Sequence, residues 1–80
     1  MMERKMRRKK RIMCNIDTDG YPVCYRDVDA MTKALAHKYG VQESMIEYVK
    51  TESDRCQNII LKSKLGDTIR MIGFYYEMFD

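Results

Sequence analysis

Tryptophan is absent, proline occurs once and glycine four times. So few chain breakers exclude a collagen-like or low-complexity polymer. No apolar run nears the roughly 20 residues that cross a membrane as a helix. The basic start is not followed by an apolar stretch, so no secretory leader is expected. Cys14, Cys24 and Cys56 are an odd set without framework spacing, which excludes a disulfide-dense scaffold and points to a reducing cytoplasm. They contain no Cys-x₂₋₄-Cys pair, so joining them with His37 does not make a zinc site. The Asp17, Asp19, Asp27 and Asp29 series lacks the closing Glu of a calcium loop and reads as turn and cap chemistry. No metal, no cofactor and no catalytic constellation are expected, and the chain is read as non-enzymatic.

What the chain does hold is enough apolar material to fold: 45% hydrophobic against 34% charged residues. At 80 residues this is one small domain with a modest core. The net charge of +3 conceals a split. Residues 1–11 carry seven Lys/Arg and one Glu, net +6, whereas residues 12–80 carry eight Lys/Arg and eleven Asp/Glu, net −3. The expected organisation is a basic N-terminal arm over 1–11 and a single acidic domain over 12–80. Arg4, Lys5, Arg7, Arg8, Lys9, Lys10 and Arg11 form a self-repelling block suited to lying along nucleic-acid phosphates or against an acidic protein surface.

Along the domain, Ile12–Asp17 and Tyr21–Arg26 flank Asp19-Gly20, a strong hairpin signal. A two-residue loop there puts Ile12, Cys14, Ile16, Val23 and Tyr25 on one face. Asp27 can cap a helix in which Val28, Met31, Leu35 and Tyr39 recur on one side, and Gly40 suits a left-handed C′ position. Residues 42–52 satisfy either a helical period or strand propensity. A second hairpin spans Asn58–Lys64 and Thr68–Phe74, with Gly66 in its turn. Its simplest register pairs Ile59 with Phe74 and Leu61 with Ile72, with Lys62 and Lys64 opposite Met71 and Ile69.

Thr32–Thr51 (TKALAHKYGVQESMIEYVKT) resembles the helix-turn-helix motif of DNA-binding regulators. Ala36 stands where the first helix needs a small residue, Gly40 at the turn, and Val41 just after it. Ile46 and Val49 match the positions that lock the second helix down. The resemblance implies a recognition helix presenting Gln42, Glu43, Ser44, Glu47, Tyr48 and Thr51 to a major groove, with Lys50 the one cation among its acids. It also implies a winged-helix-like fold of N-terminal hairpin, helix-turn-helix and C-terminal hairpin, residues 59–74 being the wing. The alternative is a ββαβββ order, one helix on an antiparallel sheet.

Of the aromatic residues, Tyr75, Tyr76 and Phe79 near the C-terminus are candidate partner-binding positions, and eight methionines offer adaptable apolar surface. The first expectation is therefore a small nucleic-acid-binding protein using Arg4, Lys5, Arg7–Arg11, Gln42, Ser44, Tyr48 and Lys50. In style, although no motif carries it, the chain also resembles phage and mobile-element accessory proteins, including anti-CRISPR inhibitors. That implies a host-protein partner. A self-associating module that forms a homodimer is the third expectation, and none of the three involves a membrane.

Overall fold

A computed structural model describes residues 10–53 and 55–79. Five antiparallel strands form one sheet, and one helix lies across one of its faces. The strands are β1 (Lys10–Ile16), β2 (Val23–Tyr25), β3 (Ile46–Lys50), β4 (Cys56–Lys62) and β5 (Thr68–Phe79), and the helix is α1 (Val28–Tyr39). Their order across the sheet is β2-β1-β5-β4-β3, so the last strand of the chain is the central one.

The helix forms where local signals place it. The Asp27 carboxylate accepts the Ala30 N–H at 2.8 Å, which also holds the Asp27 carboxyl below its ordinary range. Gly40 closes the helix at φ 67°, and Val41 N–H reaches back to the Ala36 carbonyl at 3.0 Å. Met31, Leu35 and Ala36 are buried against Ile12, Cys14, Ile16, Ile46, Ile59, Leu61, Ile72 and Tyr75 from the sheet. The core is this single layer between helix and sheet.

The winged-helix-like expectation is overturned. After Gly40 the chain makes only a short 3-10 turn at Glu43–Met45, and Ile46–Lys50 then runs as a strand paired with β4. Gln42–Thr51 is thus not a recognition helix, and residues 59–74 lie within the sheet rather than forming a wing. The physical reason sits at Tyr48. Thr32 Oγ1 donates its proton to the Val28 carbonyl at 2.8 Å, so the Tyr48 hydroxyl donates to Thr32 Oγ1. The Tyr48 ring also stands edge-on to Tyr75, with centroids 5.1 Å apart. These contacts and the ladder to β4 outweigh the helical period. The element order is the alternative weighed against the helix-turn-helix.

Both hairpin registers also differ from expectation. Ile12 pairs with Tyr25 and Cys14 with Val23, two residues short of the Asp19-Gly20 closure. Pro22 has no N–H to extend that ladder, so residues 17–22 form a longer connection, tied down by Lys38 on Asp19 at 3.2 Å. A shift of two preserves the faces. In the second hairpin, Ile59 pairs with Gly73 and Ile60 with Met71, leaving Ile72 as an extra residue in β5, and a second irregularity leaves Ile69 extra. At the Ile72–Gly73 bulge two successive residues oppose one, which reverses the inward–outward phase of β5. Ile72 and Tyr75 therefore both point into the core, and Phe74 points out.

Gly73 is required there. A Cβ on it would lie 2.0 Å from the Asn15 carbonyl oxygen and 2.8 Å from Ile16 Cα, both fixed backbone of β1. Gly73→Ala is expected to lower stability by about 2 kcal/mol or more, read as a shift of the urea midpoint. An unchanged midpoint would show that β1 does not approach β5 this closely.

A second expectation concerns alkali. Burial pushes the Tyr48 hydroxyl from 10.0 up to about 12, and burial with the Asp19 carboxylate pushes the Cys14 thiol from 9.0 up to about 11. The folded state keeps protons that the unfolded chain releases. Their contribution is whole below pH 9 and is lost progressively as pH rises toward 12. Tyr48→Phe is expected to be less stable at neutral pH by about 1 kcal/mol and to lose less stability across that window, measured by urea titration at each pH.

Candidate binding face

Only one face of the sheet is covered by the helix. The other is built from the alternate residues of each strand. β1 contributes Arg11, Met13 and Asn15, and β2 contributes Cys24. β5 contributes Met71, Phe74, Tyr76 and Met78, β4 contributes Cys56, Asn58, Ile60 and Lys62, and β3 contributes Glu47 and Val49. Rows run across the strands. Asn15, Phe74 and Asn58 stand side by side, as do Met13, Tyr76 and Cys56, while Arg11 sits beside Met78. Phe74 is 38% exposed and Met71 54%. A contiguous apolar strip left in water is a mark of a binding surface.

The charges are segregated. Among the described strand residues on this face, Glu47 is the one carboxylate, and Lys62 neutralises it at 2.8 Å. Three other acids near the sheet are engaged elsewhere: Glu77 with Lys10 at 3.0 Å, Asp19 with Lys38, and Asp17 with Arg70. Arg70 is held more firmly protonated by the Asp17 hydrogen bond and charge, and Lys38 likewise by Asp19. The basic segment joins the sheet through β1, so its last member, Arg11, enters the face directly.

The residues singled out by sequence scatter. Arg4, Lys5, Arg7, Arg8 and Lys9 lie outside the described residues. Lys10 and Arg11 belong to β1 rather than to a separate arm. Gln42 and Ser44 are exposed at the 3-10 turn, and Lys50 is exposed at the end of β3. None of these three joins the uncovered face, and without a recognition helix they share no groove-reading surface. Tyr48 is half-buried and committed to Thr32 and Tyr75. Of the partner-binding candidates, Tyr75 is buried at 5% exposure, where burial and the nearby Glu77 raise its hydroxyl pKa. Phe79 is exposed at the end of β5 opposite Lys10. Tyr76 alone lies on the uncovered face.

Sequence reasoning missed Met13, Asn15, Asn58 and Phe74. The available signal was Gly73, since glycine inside a strand pattern marks a bulge or a close backbone approach.

The cavities among the described residues are open grooves. One of about 850 Å³ lies where β5 outruns β4, between Arg55–Gln57 and Tyr75–Phe79. Another, of about 400 Å³, lies between Gln42–Met45 and the β4–β5 turn. Among the described residues no three His, Cys, Asp or Glu side chains gather to hold a metal ion, and no helix is long and apolar enough to cross a membrane. Comparison with family models, with curated proteins and with solved structures finds no match to this chain.

The phase reversal in β5 makes a direct expectation. Tyr75→Ala should cost about 3–5 kcal/mol, the loss on truncating a buried aromatic. Phe74→Ala should cost only about 1 kcal/mol, because a partly exposed ring gives up less buried area. Guanidinium denaturation of the two variants measures the order, and a regular strand without the bulge would reverse it.

Proposed function

We propose that this chain is a non-enzymatic binding module that takes single-stranded nucleic acid on its uncovered sheet face, with the basic segment Arg4–Arg11 attracting the phosphates. The observation that carries this reading is the placing of Phe74 and Tyr76 at successive outward positions on the central strand, with Arg11 on the same face. Two outward positions on one strand are about 7 Å apart. That spacing lets neighbouring, unstacked bases each find an aromatic surface, as on other sheet platforms for single strands. Opposite charge supports it. The face carries no unneutralised carboxylate among the described strand residues, and in the sequence a run of seven Lys/Arg ends at Arg11, which stands on it. A sheet offers no helix to a major groove, so duplex reading is not part of the proposal. The setting is the cytoplasm, in keeping with three cysteines that carry no disulfide.

A protein partner is the second reading, and one observation favours it. Met71, Ile60 and Val49 continue the face away from Arg11 beside the neutralised Glu47–Lys62 pair, an apolar and nearly neutral patch. Such a surface suits a host protein that the chain would inhibit, or a second copy of itself.

Fluorescence anisotropy with short labelled single strands tests the first reading. Phe74→Ala and Tyr76→Ala should each weaken binding by about 5- to 150-fold, the value of one base–aromatic stack. The logarithm of affinity should fall linearly with the logarithm of salt, by about 0.7 for each phosphate neutralised. Removing residues 1–9 should flatten that slope. Affinity indifferent to both ring truncations would overturn the reading, and complex formation with a protein but no oligonucleotide would replace it with the second.

A further inference from the structure

Within the platform, the row formed by Asn15, Phe74 and Asn58 is distinct from the rest. Phe74 is the direct partner of Asn15 on β1 and of Asn58 on β4, so all three side chains rise from the same face on adjacent strands. Strand spacing sets the two asparagines about 4.8 Å to either side of the ring's strand. Both are half-buried. Among the described residues neither carboxamide makes a hydrogen bond, although each can donate and accept. Neither is a buried unpaired group, so their polar atoms are open to solvent and to a ligand. The two carboxamides flank one aromatic surface and face outward unengaged.

From this geometry we infer a base-reading subsite that prefers adenine: Phe74 supplies the stacking surface and Asn15 and Asn58 address the edges of the stacked base. The inference rests on the nucleic-acid reading above and adds sequence preference to it. A carboxamide presents one donor and one acceptor side by side, and the N6–H and N7 edge of adenine is their usual match. A purine also covers more of the ring than a pyrimidine does. The neighbouring row cannot do the same. Tyr76 is flanked by Met13 and Cys56, which bring apolar contact and almost no hydrogen-bonding capacity, so it stacks without discrimination.

The test uses the full chain and short single strands of adenine, cytosine or thymine nucleotides, each in the deoxyribose form, with uracil replacing thymine in a matching ribose set. The quantity read is the ratio of affinities between bases, which a general loss of folding or of charge attraction does not move. The wild-type chain is expected to favour adenine strands by about tenfold, a single amide–base match being worth roughly that much. Asn15→Ala and Asn58→Ala should each bring the ratio toward one. Asn58→Asp should move preference toward cytosine, whose N4 amino group donates to a carboxylate. Met13→Ala, in the row beside Tyr76, should leave the ratio where it is. If every base binds alike and the Asn variants leave the ratio unmoved while Phe74→Ala still weakens binding, the subsite is overturned and the nucleic-acid reading stands. If no strand binds in either sugar form, both fall together. The two sets of sugars decide whether the natural ligand is DNA or RNA, since the base edges are common to both.

Discussion

The close approach of β1 to Gly73 governs the rest of the molecule. The Asn15 carbonyl occupies the space a side chain would need, and the bulge beside it places Ile72 and Gly73 against the single residue Ile59. Every position beyond that point in β5 changes face. Tyr75 turns inward to meet Tyr48, and through Tyr48 the edge strand β3 is tied to α1 at Thr32. Phe74 and Tyr76 turn outward together. A regular strand would have turned Phe74 and Tyr76 inward and left Tyr75 alone outside. The interior and the candidate platform therefore share one cause.

Electrostatics is arranged around this division rather than producing it. The ion pairs Lys10–Glu77, Lys33–Asp29, Lys38–Asp19 and Lys62–Glu47 are all exposed to some degree and contribute little to stability. Their effect is on which charges remain available. They hold carboxylates along the helix side and the loops, and they neutralise the one that stands on the open sheet face. An acidic body thus leaves a face whose one carboxylate, among the described strand residues, is neutralised.

How much of this was readable depended on how local each signal was. Helix α1 was legible to the residue because Asp27, the apolar period and Gly40 all act within one element. The strands on either side were legible as strands. The stretch after Gly40 was not. Ala36, Gly40 and Val41 satisfy a helix-turn-helix and an ordinary helix-to-strand junction equally well, because both need a small packing residue and a left-handed cap. What decides between them is Tyr48, through partners that are distant in sequence. Register failed for the same reason. Alternation sets the faces of β1, but the phase of β5 changes at a glycine whose constraint comes from a strand more than fifty residues earlier. Phe74 was accordingly paired with Ile59 and Tyr75 read as a surface candidate, whereas Phe74 stands outward and Tyr75 is buried.

The strand order also bears on how the chain is made. β5, which follows the other four strands in sequence, sits between β1 and β4 and joins a β1–β2 hairpin to a β3–β4 hairpin that otherwise share no ladder among the described residues. Until it arrives, each half exposes an open strand edge and the helix has only part of its floor. Because the sheet is completed by its most sequence-distant contacts, folding waits until residues 68–79 are available to fill the gap. A chain cut short before Gly73 would carry two unjoined hairpins with open, sticky edges rather than a smaller version of the same domain.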